Sequence, residues 1–173
     1  MPAARHYHGM KTEPYHISVF VPVDRLLPGF MRVFDPDGVR VLYDLPCRTK
    51  ADGADAAEHD NPHRDPTRPY GDTPTGLYRP TWISRYIARH RTFGHHAILL
   101  EGQTGDALKA AQNGRTGLAI HGGRGDDKLM ATYGCIRMFD RDIAMLAEEV
   151  GQAAVVVEVI ESGPWPPIFA KGE

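Results

Sequence analysis

Gly117 to Met138 read G-L-A-I-H-G-G-R-G-D-D-K-L-M-A-T-Y-G-C-I-R-M. A short apolar strand ends at His121, the histidine opens a glycine-rich loop, and Cys135 stands between Thr132-Tyr133-Gly134 and Ile136-Arg137. A cysteine attacks as its thiolate, so it needs a positioned base or a cation beside it. His121 is the candidate base and Arg137 the candidate cation. Gly134 permits a sharp turn just before the cysteine, so that successive backbone N–H groups can face one developing oxyanion. The stretch therefore predicts a strand, a tight turn and a nucleophile, with the Cys135 thiol pKa depressed by His121 and Arg137. The plainer alternative is an inert buried thiol, since cysteine is among the most buried residue types.

Outward from this stretch, short strands alternate with turn signals. Downstream, Phe139 to Val150 places Ile143, Leu146, Ala147 and Val150 on one helical face, and Gly151 ends it. Ala153 to Ile160 is a β-branched run that predicts a strand buried on both faces. A Pro-rich tail follows, Gly163 to Pro167. Upstream, Thr116 to Ile120, His95 to Leu100 and Gly76 to Trp82 read as strands. Thr104 is placed to cap a helix from Gly105 to Gln112, which Asn113-Gly114 stops. His16 to Val21 is a strand ending at Pro22, and Asp35-Pro36-Asp37-Gly38 folds Met31–Phe34 back onto Val39–Tyr43 as a hairpin. The expected architecture is one mainly β (α+β) domain over residues 16–173, with two or three short helices. A polar segment, residues 1–15, precedes it.

Lys50 to Pro69 almost lacks large apolar residues. It reads as a polar insertion loop, either a lid or binding loop or a disordered insertion. As a binding loop, its partial deletion should alter substrate choice more than stability.

Composition sets the outer bounds. With 42% hydrophobic and 24% charged residues, a chain of 173 residues can bury a core without staples, which excludes disorder throughout. Lys and Arg number 20 against 22 Asp and Glu, a net charge of −2, so no basic field is available for a nucleic-acid partner. Two cysteines without a CxxC pair exclude a disulfide framework and a zinc knuckle. Cys47 reads as a core or strand-end residue; a Cys47–Cys135 bridge is the alternative, and it would silence the thiol. His59, Asp60, His63 and Asp65 can be drawn as a metal cluster, but their loop has no rigid periodicity, and they are read as surface residues. No metal or organic cofactor is expected. In His95-His96, strand alternation turns one ring inward and one outward. Arg85, Arg89 and Arg91 near Tyr86 read as a solvated basic stripe. No apolar run is long enough for a transmembrane segment, and Met1 to Pro14 lacks the apolar stretch of a signal peptide.

The ordered motifs resemble those of the L,D-transpeptidase (YkuD-type) family. That family's pattern is His-Gly, a variable loop, then Ser/Thr-x-Gly-Cys, an apolar residue and Arg or Asn. Here these elements are His121-Gly122 and Thr132-Tyr133-Gly134-Cys135-Ile136-Arg137. Met31 to Tyr43 resembles the family's opening hairpin, and Tyr70 to Tyr78 (Y-G-D-T-P-T-G-L-Y) its Thr-Pro-Thr-Gly-aromatic stretch. Phe93 to Leu100 and Gly117 to Gly123 resemble the strands that lead to His-Gly. The likeness spans roughly residues 30 to 160. The chain departs from the pattern at Tyr133, where many members carry His, and in a shorter loop between His121 and Thr132.

The resemblance implies a sandwich of mixed sheets with the active site in a cleft beneath a loop. It implies that Cys135 forms a thioester with a stem tetrapeptide of peptidoglycan, that His121 is the base, and that the Gly122 carbonyl orients the imidazole. The amides of Tyr133, Gly134 and Cys135 then form the oxyanion hole, with Thr132 beside it at the oxyanion and substrate, while Arg137 holds the loop or meets a substrate carboxylate. The acyl group passes to an amine, giving a cross-link, or to water, giving L,D-carboxypeptidase activity. Such an enzyme works in the periplasm or cell wall. Without a visible Sec signal, the chain is expected to be trimmed or to leave by specialised secretion, as an antibacterial effector accompanied by an immunity protein. Two readings from other classes are a non-catalytic peptidoglycan-binding module and a cytosolic thiol hydrolase.

Overall fold

The computed structural model describes residues 14–124, 126–151, 153 and 155–162, without the side chains of residues 82–89. The Pro-rich tail, nearly all of the polar N-terminal segment, and the side chains of Arg85, Tyr86 and Arg89 lie outside the described residues.

The fold is mainly β, as expected, and its strands make one mixed eight-stranded sheet. Strand β1 (Tyr15–Pro22) pairs antiparallel with β2 (Gly29–Phe34), which pairs antiparallel with β3 (Val41–Cys47). The predicted turn makes this second hairpin: the Gly38 amide donates to the Asp35 carbonyl at 2.8 Å, and Gly38 takes a φ of 70°. On its other side β1 runs parallel to β8 (Val155–Ser162), which is followed by β4 (Gly76–His90), β5 (Gly94–Gly102), β6 (Ala119–His121) and β7 (Ile136–Arg137). Strand order is therefore β3-β2-β1-β8-β4-β5-β6-β7. The two ends of that order meet. Just past β3, the Arg48 amide donates to the Arg137 carbonyl at 2.8 Å, and the Arg137 amide donates back to Arg48 at 2.9 Å. Two backbone bonds thus bend the sheet nearly into a barrel, and the seam runs along β7, the strand that follows Cys135.

One face of the sheet carries the core. Ile17, Val19 and Val21 of β1 alternate inward, as do Met31 and Val33 of β2. Strand β8 alternates too: Val155, Val157 and Val159 are buried, while Glu158 is exposed. The expectation of burial on both faces is thus corrected, since a β-branched run marks strand propensity and not two covered faces. Helix α3 (Asp140–Val150) lays Ile143, Leu146, Ala147 and Val150 on this core, and Gly151 ends it at a φ of 50°. Ile143, Leu146 and Val150 each contribute about 1.5–3 kcal/mol by leaving water.

Helix α2 (Gly105–Gln112) packs beside β4 and β5. Thr104 holds its N-cap position without capping it; its hydroxyl instead accepts from the Leu77 amide at 3.0 Å, tying the helix start to β4. The segment read as a polar loop is ordered and contains α1 (Gly53–Glu58), capped by Asp52, whose carboxylate accepts from the amides of Ala54 and Asp55. Its order is mainly polar. Buried Asn61 donates to the carbonyls of Asp65 and Pro69 and accepts from the Asp65 amide, and Asp72 accepts from the Ala51 amide at 2.7 Å. The alternative of a disordered insertion is therefore set aside.

Candidate active site

Strands β6 and β7 lie parallel, with Ile120 beside Ile136 and His121 beside Arg137. Side chains alternate along strands, so His121, Arg137 and Cys135, two residues before Arg137, share one face while Ile120 and Ile136 enter the core. That face opens into a cavity of about 610 Å³, lined by His121, Thr132, Tyr133, Cys135 and Arg137 together with Asp52, Tyr70, Phe93 and Arg115. The expected site residues are thus brought together, with Gly122 and Gly134 directly beside the lining ones.

His121 is 1% exposed, and its Nδ1 lies 2.6 Å from the Gly122 carbonyl oxygen. A carbonyl can only accept, so Nδ1 carries the proton and Nε2 is left as the basic nitrogen. The Phe93 ring meets the imidazole edge-on at 4.9 Å between centroids. Burial pushes the imidazolium down to about 4, so the ring is neutral at pH 7. The glycine-rich loop after it is pinned by the Gly123 amide, which donates to the Asp140 carboxylate at the start of α3. Gly123 has a φ of 100°, and a Cβ there would stand 2.1 Å from the Thr92 carbonyl oxygen; only glycine fits.

Cys135 is a free thiol, as is Cys47, which stands fully buried at the end of β3 with its pKa pushed up to about 12. The Cys135 Sγ donates to the Gly117 carbonyl at 3.7 Å. Burial raises its pKa, against the Ala119 amide, Arg115 and Arg137, which all favour the thiolate. The expected depression is therefore corrected: the cations are present, but desolvation outweighs them. The resting pair is neutral thiol and neutral imidazole.

The turn before the cysteine is built by threonines. The Thr132 hydroxyl donates to the Cys135 carbonyl at 3.0 Å and accepts from the Gly134 amide at 3.0 Å. This removes one of the three amides expected to face an oxyanion, leaving those of Tyr133 and Cys135. The Thr73 hydroxyl, 2.8 Å from the Gly134 carbonyl, holds the turn from the other side. Tyr133 is 55% exposed and meets Tyr70 edge-on at 5.4 Å, and Tyr70 stands at a φ of 60°.

Arg137 is 3% exposed. Its Nη2 donates to the Thr92 carbonyl at 3.3 Å, while Nε and Nη1 are buried without a hydrogen-bond partner among the described residues. The guanidinium lines the cavity as a cation, but these two nitrogens are closed off from it.

Other candidates lie elsewhere. His59 stacks on Tyr70 at 3.6 Å, and Asp65 accepts from Thr67. Among the described residues, no three His, Cys, Asp or Glu side chains gather as a metal site. His95 is exposed and His96 half-buried, following the strand alternation. Sequence reasoning placed Thr73 only within the Thr-Pro-Thr-Gly stretch and overlooked Thr92, Phe93, Arg115 and Asp140 as parts of the site. The Thr-Pro-Thr-Gly stretch offered a signal for the first; single residues in connections or at a helix start offered none for the rest.

A family model, the L,D-transpeptidase catalytic domain (YkuD), matches residues 26–159. The chain belongs to this family. Among solved structures, the helical cell shape determining protein Pgp2 from Campylobacter jejuni matches with a TM-score of 0.54 at 19% identity, over 89% of this chain and 52% of that one. Bd1075 of Bdellovibrio bacteriovorus matches with a TM-score of 0.54 at 14% identity, over 83% and 47%. These two show the shared fold. An L,D-transpeptidase from Xylanimonas cellulosilytica aligns less closely, with a TM-score of 0.46 at 14% identity over 85% and 61%. The chain spans about half the length of the first two structures. No curated protein sequence matches. The L,D-transpeptidase match runs through both His121-Gly122 and the Cys135 turn, so cavity and motif coincide.

Proposed function

We propose that this protein is a cysteine-dependent L,D-transpeptidase of peptidoglycan stem peptides, with residues 16–173 acting as one catalytic domain at the cell wall. The observation that carries this reading is the Nδ1 bond from His121 to the Gly122 carbonyl, which leaves Nε2 free as a base on the cavity that holds Cys135.

In this mechanism His121 Nε2 takes the proton from Cys135 Sγ as sulfur attacks the peptide carbonyl before the terminal D-residue. The tetrahedral oxyanion faces the amides of Tyr133 and Cys135. Its collapse breaks the C–N bond, and the imidazolium returns the proton to the leaving amine. The thioester then meets an acceptor. His121 removes the acceptor's proton, and attack releases the thiol with either a new amide or a carboxylic acid. Arg137, a cavity-lining cation held through Nη2 by the Thr92 carbonyl, attracts the substrate's terminal carboxylate and so places the scissile bond near Sγ.

Mass spectrometry of the protein with disaccharide-tetrapeptides tests this. Loss of the terminal D-residue, or formation of a cross-linked dimer, is expected for the native chain and not for Cys135→Ala. Turnover that persists in Cys135→Ala would overturn the proposal. The product identifies water or amine as the acceptor.

A further inference from the structure

Arg115 lies in the connection between α2 and β6, 5% exposed, and the reaction just described leaves it without a task. Its Nη1 donates to the carbonyls of Pro66 and, at 2.9 Å, Asp72. Its Nη2 donates to the carbonyls of Gly71 at 2.6 Å and Tyr133 at 3.2 Å. One guanidinium therefore joins the end of the polar insertion to the turn that carries the nucleophile. Its fit against that turn is close: a Cβ on Gly134 would stand 1.7 Å from Arg115 Nη2. The glycine before the cysteine makes room for this arginine.

All four partners are neutral. Among the described residues no carboxylate lies within ion-pair distance of Arg115, although Asp72 and Asp65 are near enough to act on it electrostatically. A guanidinium does not lose its proton in proteins, so the charge persists under burial. Burying a cation without an anion costs free energy, and the cost falls when negative charge forms beside it. The place where such charge forms is Cys135.

We propose that Arg115 is a positioning residue with two tasks: it clasps the 50–72 segment to the nucleophile turn, and it is the buried cation that offsets the negative charge developing at Cys135. This rests on Cys135 being the nucleophile and deepens that reading. The other groups facing Cys135 are consistent with the second task. From β4, Tyr78 donates its hydroxyl proton to the Pro74 carbonyl at 2.7 Å, and burial keeps it neutral. From β6 come neutral His121 and the Ala119 amide. Arg137 of β7 is the second cation, its charge disfavoured by Arg124 and favoured by Asp140 of α3.

The test uses the full chain and iodoacetamide labelling of Cys135 across pH, read by mass spectrometry, together with limited proteolysis within residues 60–72. Arg115→Met is expected to label about tenfold more slowly at pH 7, since a neighbouring opposite charge favours the charged form by about one pH unit or more. It is also expected to be cut faster. Arg115→Lys is expected to be cut faster but to keep its labelling rate within about twofold, because it keeps the charge and loses the fork. Asn61→Ala loosens the same segment without touching a charge and is expected to change cutting alone. Unchanged labelling in a folded Arg115→Met would overturn the electrostatic task; unchanged cutting would overturn the clasp. If Arg115→Met does not fold, Arg115→Lys decides: labelling slowed tenfold would overturn the proposal. Labelling does not require turnover, so failure of the transpeptidase reading is seen separately, as a native protein that labels normally yet forms no acyl-enzyme with muropeptide.

Discussion

A histidine that gives its Nδ1 proton to its neighbour's carbonyl has only one nitrogen left for chemistry, and burial then decides when that nitrogen works. His121 must be neutral to act as a base, and its folded-state pKa of about 4 lies below the usual value of about 6.5. The acid limb of kcat/KM is therefore expected near pH 4, and a limb near 6.5 measured in a pH–rate profile would contradict it. The same shift links to stability. The folded chain binds fewer protons than the unfolded one between these values, so the contribution is complete above about 6.5 and is lost as pH falls toward 4. Denaturant midpoints measured from pH 7 to pH 4 should fall, and His121→Gln should flatten that slope. At Cys135 the sign is opposite: burial raises the thiol, so the midpoint of alkylation against pH is expected on the alkaline side of a free cysteine. Gly134→Ala should lower muropeptide turnover at least tenfold, because its methyl must displace the Arg115 guanidinium at a φ of 100°. Muropeptide turnover falling by less than tenfold would argue against that close fit.

Among the elements, α3 is the one whose periodicity left least to find. Ile143, Leu146, Ala147 and Val150 repeat at helical spacing, and all four are buried. Leu146→Ala is expected to cost about 2–5 kcal/mol, measured by urea unfolding, because the side chain is fully enclosed between helix and sheet. The Asp35-Pro36-Asp37-Gly38 hairpin was equally legible, since turn chemistry is local. Residues 50–72 were not. Their order comes from the Asn61 and Asp72 side chains reaching backbone groups of Asp65, Pro69 and Ala51, and polar side chain–backbone bonds leave no periodic trace in sequence. Ala51 and Ala56 are buried as well, so shortening this segment should lower the melting temperature along with altering substrate choice. A deletion within residues 53–60 that leaves the melting temperature unchanged would contradict this. The site was legible to the same degree: His121, Cys135 and Arg137 sit in a recognisable order, whereas Thr73 and Arg115 act through tertiary contacts that spacing does not encode.

At the scale of the molecule, the sheet's two edges meet at Arg48 and Arg137, and the candidate site sits against that join. Local openings start where few hydrogen bonds hold two elements, so the Arg48 and Arg137 amides should exchange faster than those of Val19 and Val157 in the paired centre. Hydrogen-exchange mass spectrometry that found the join as protected as β1 and β8 would contradict this. The join also imposes an order on biosynthesis. A ribosome delivers β1, β2 and β3 long before Arg137, and β1 lacks its parallel neighbour until β8 follows. Until those residues are made, β3 lacks its partner across the join and β1 lacks β8, and Cys135 emerges after the Arg48 side of the site. A copy that stops short of residue 135 therefore holds the Arg48 side of the join without Cys135.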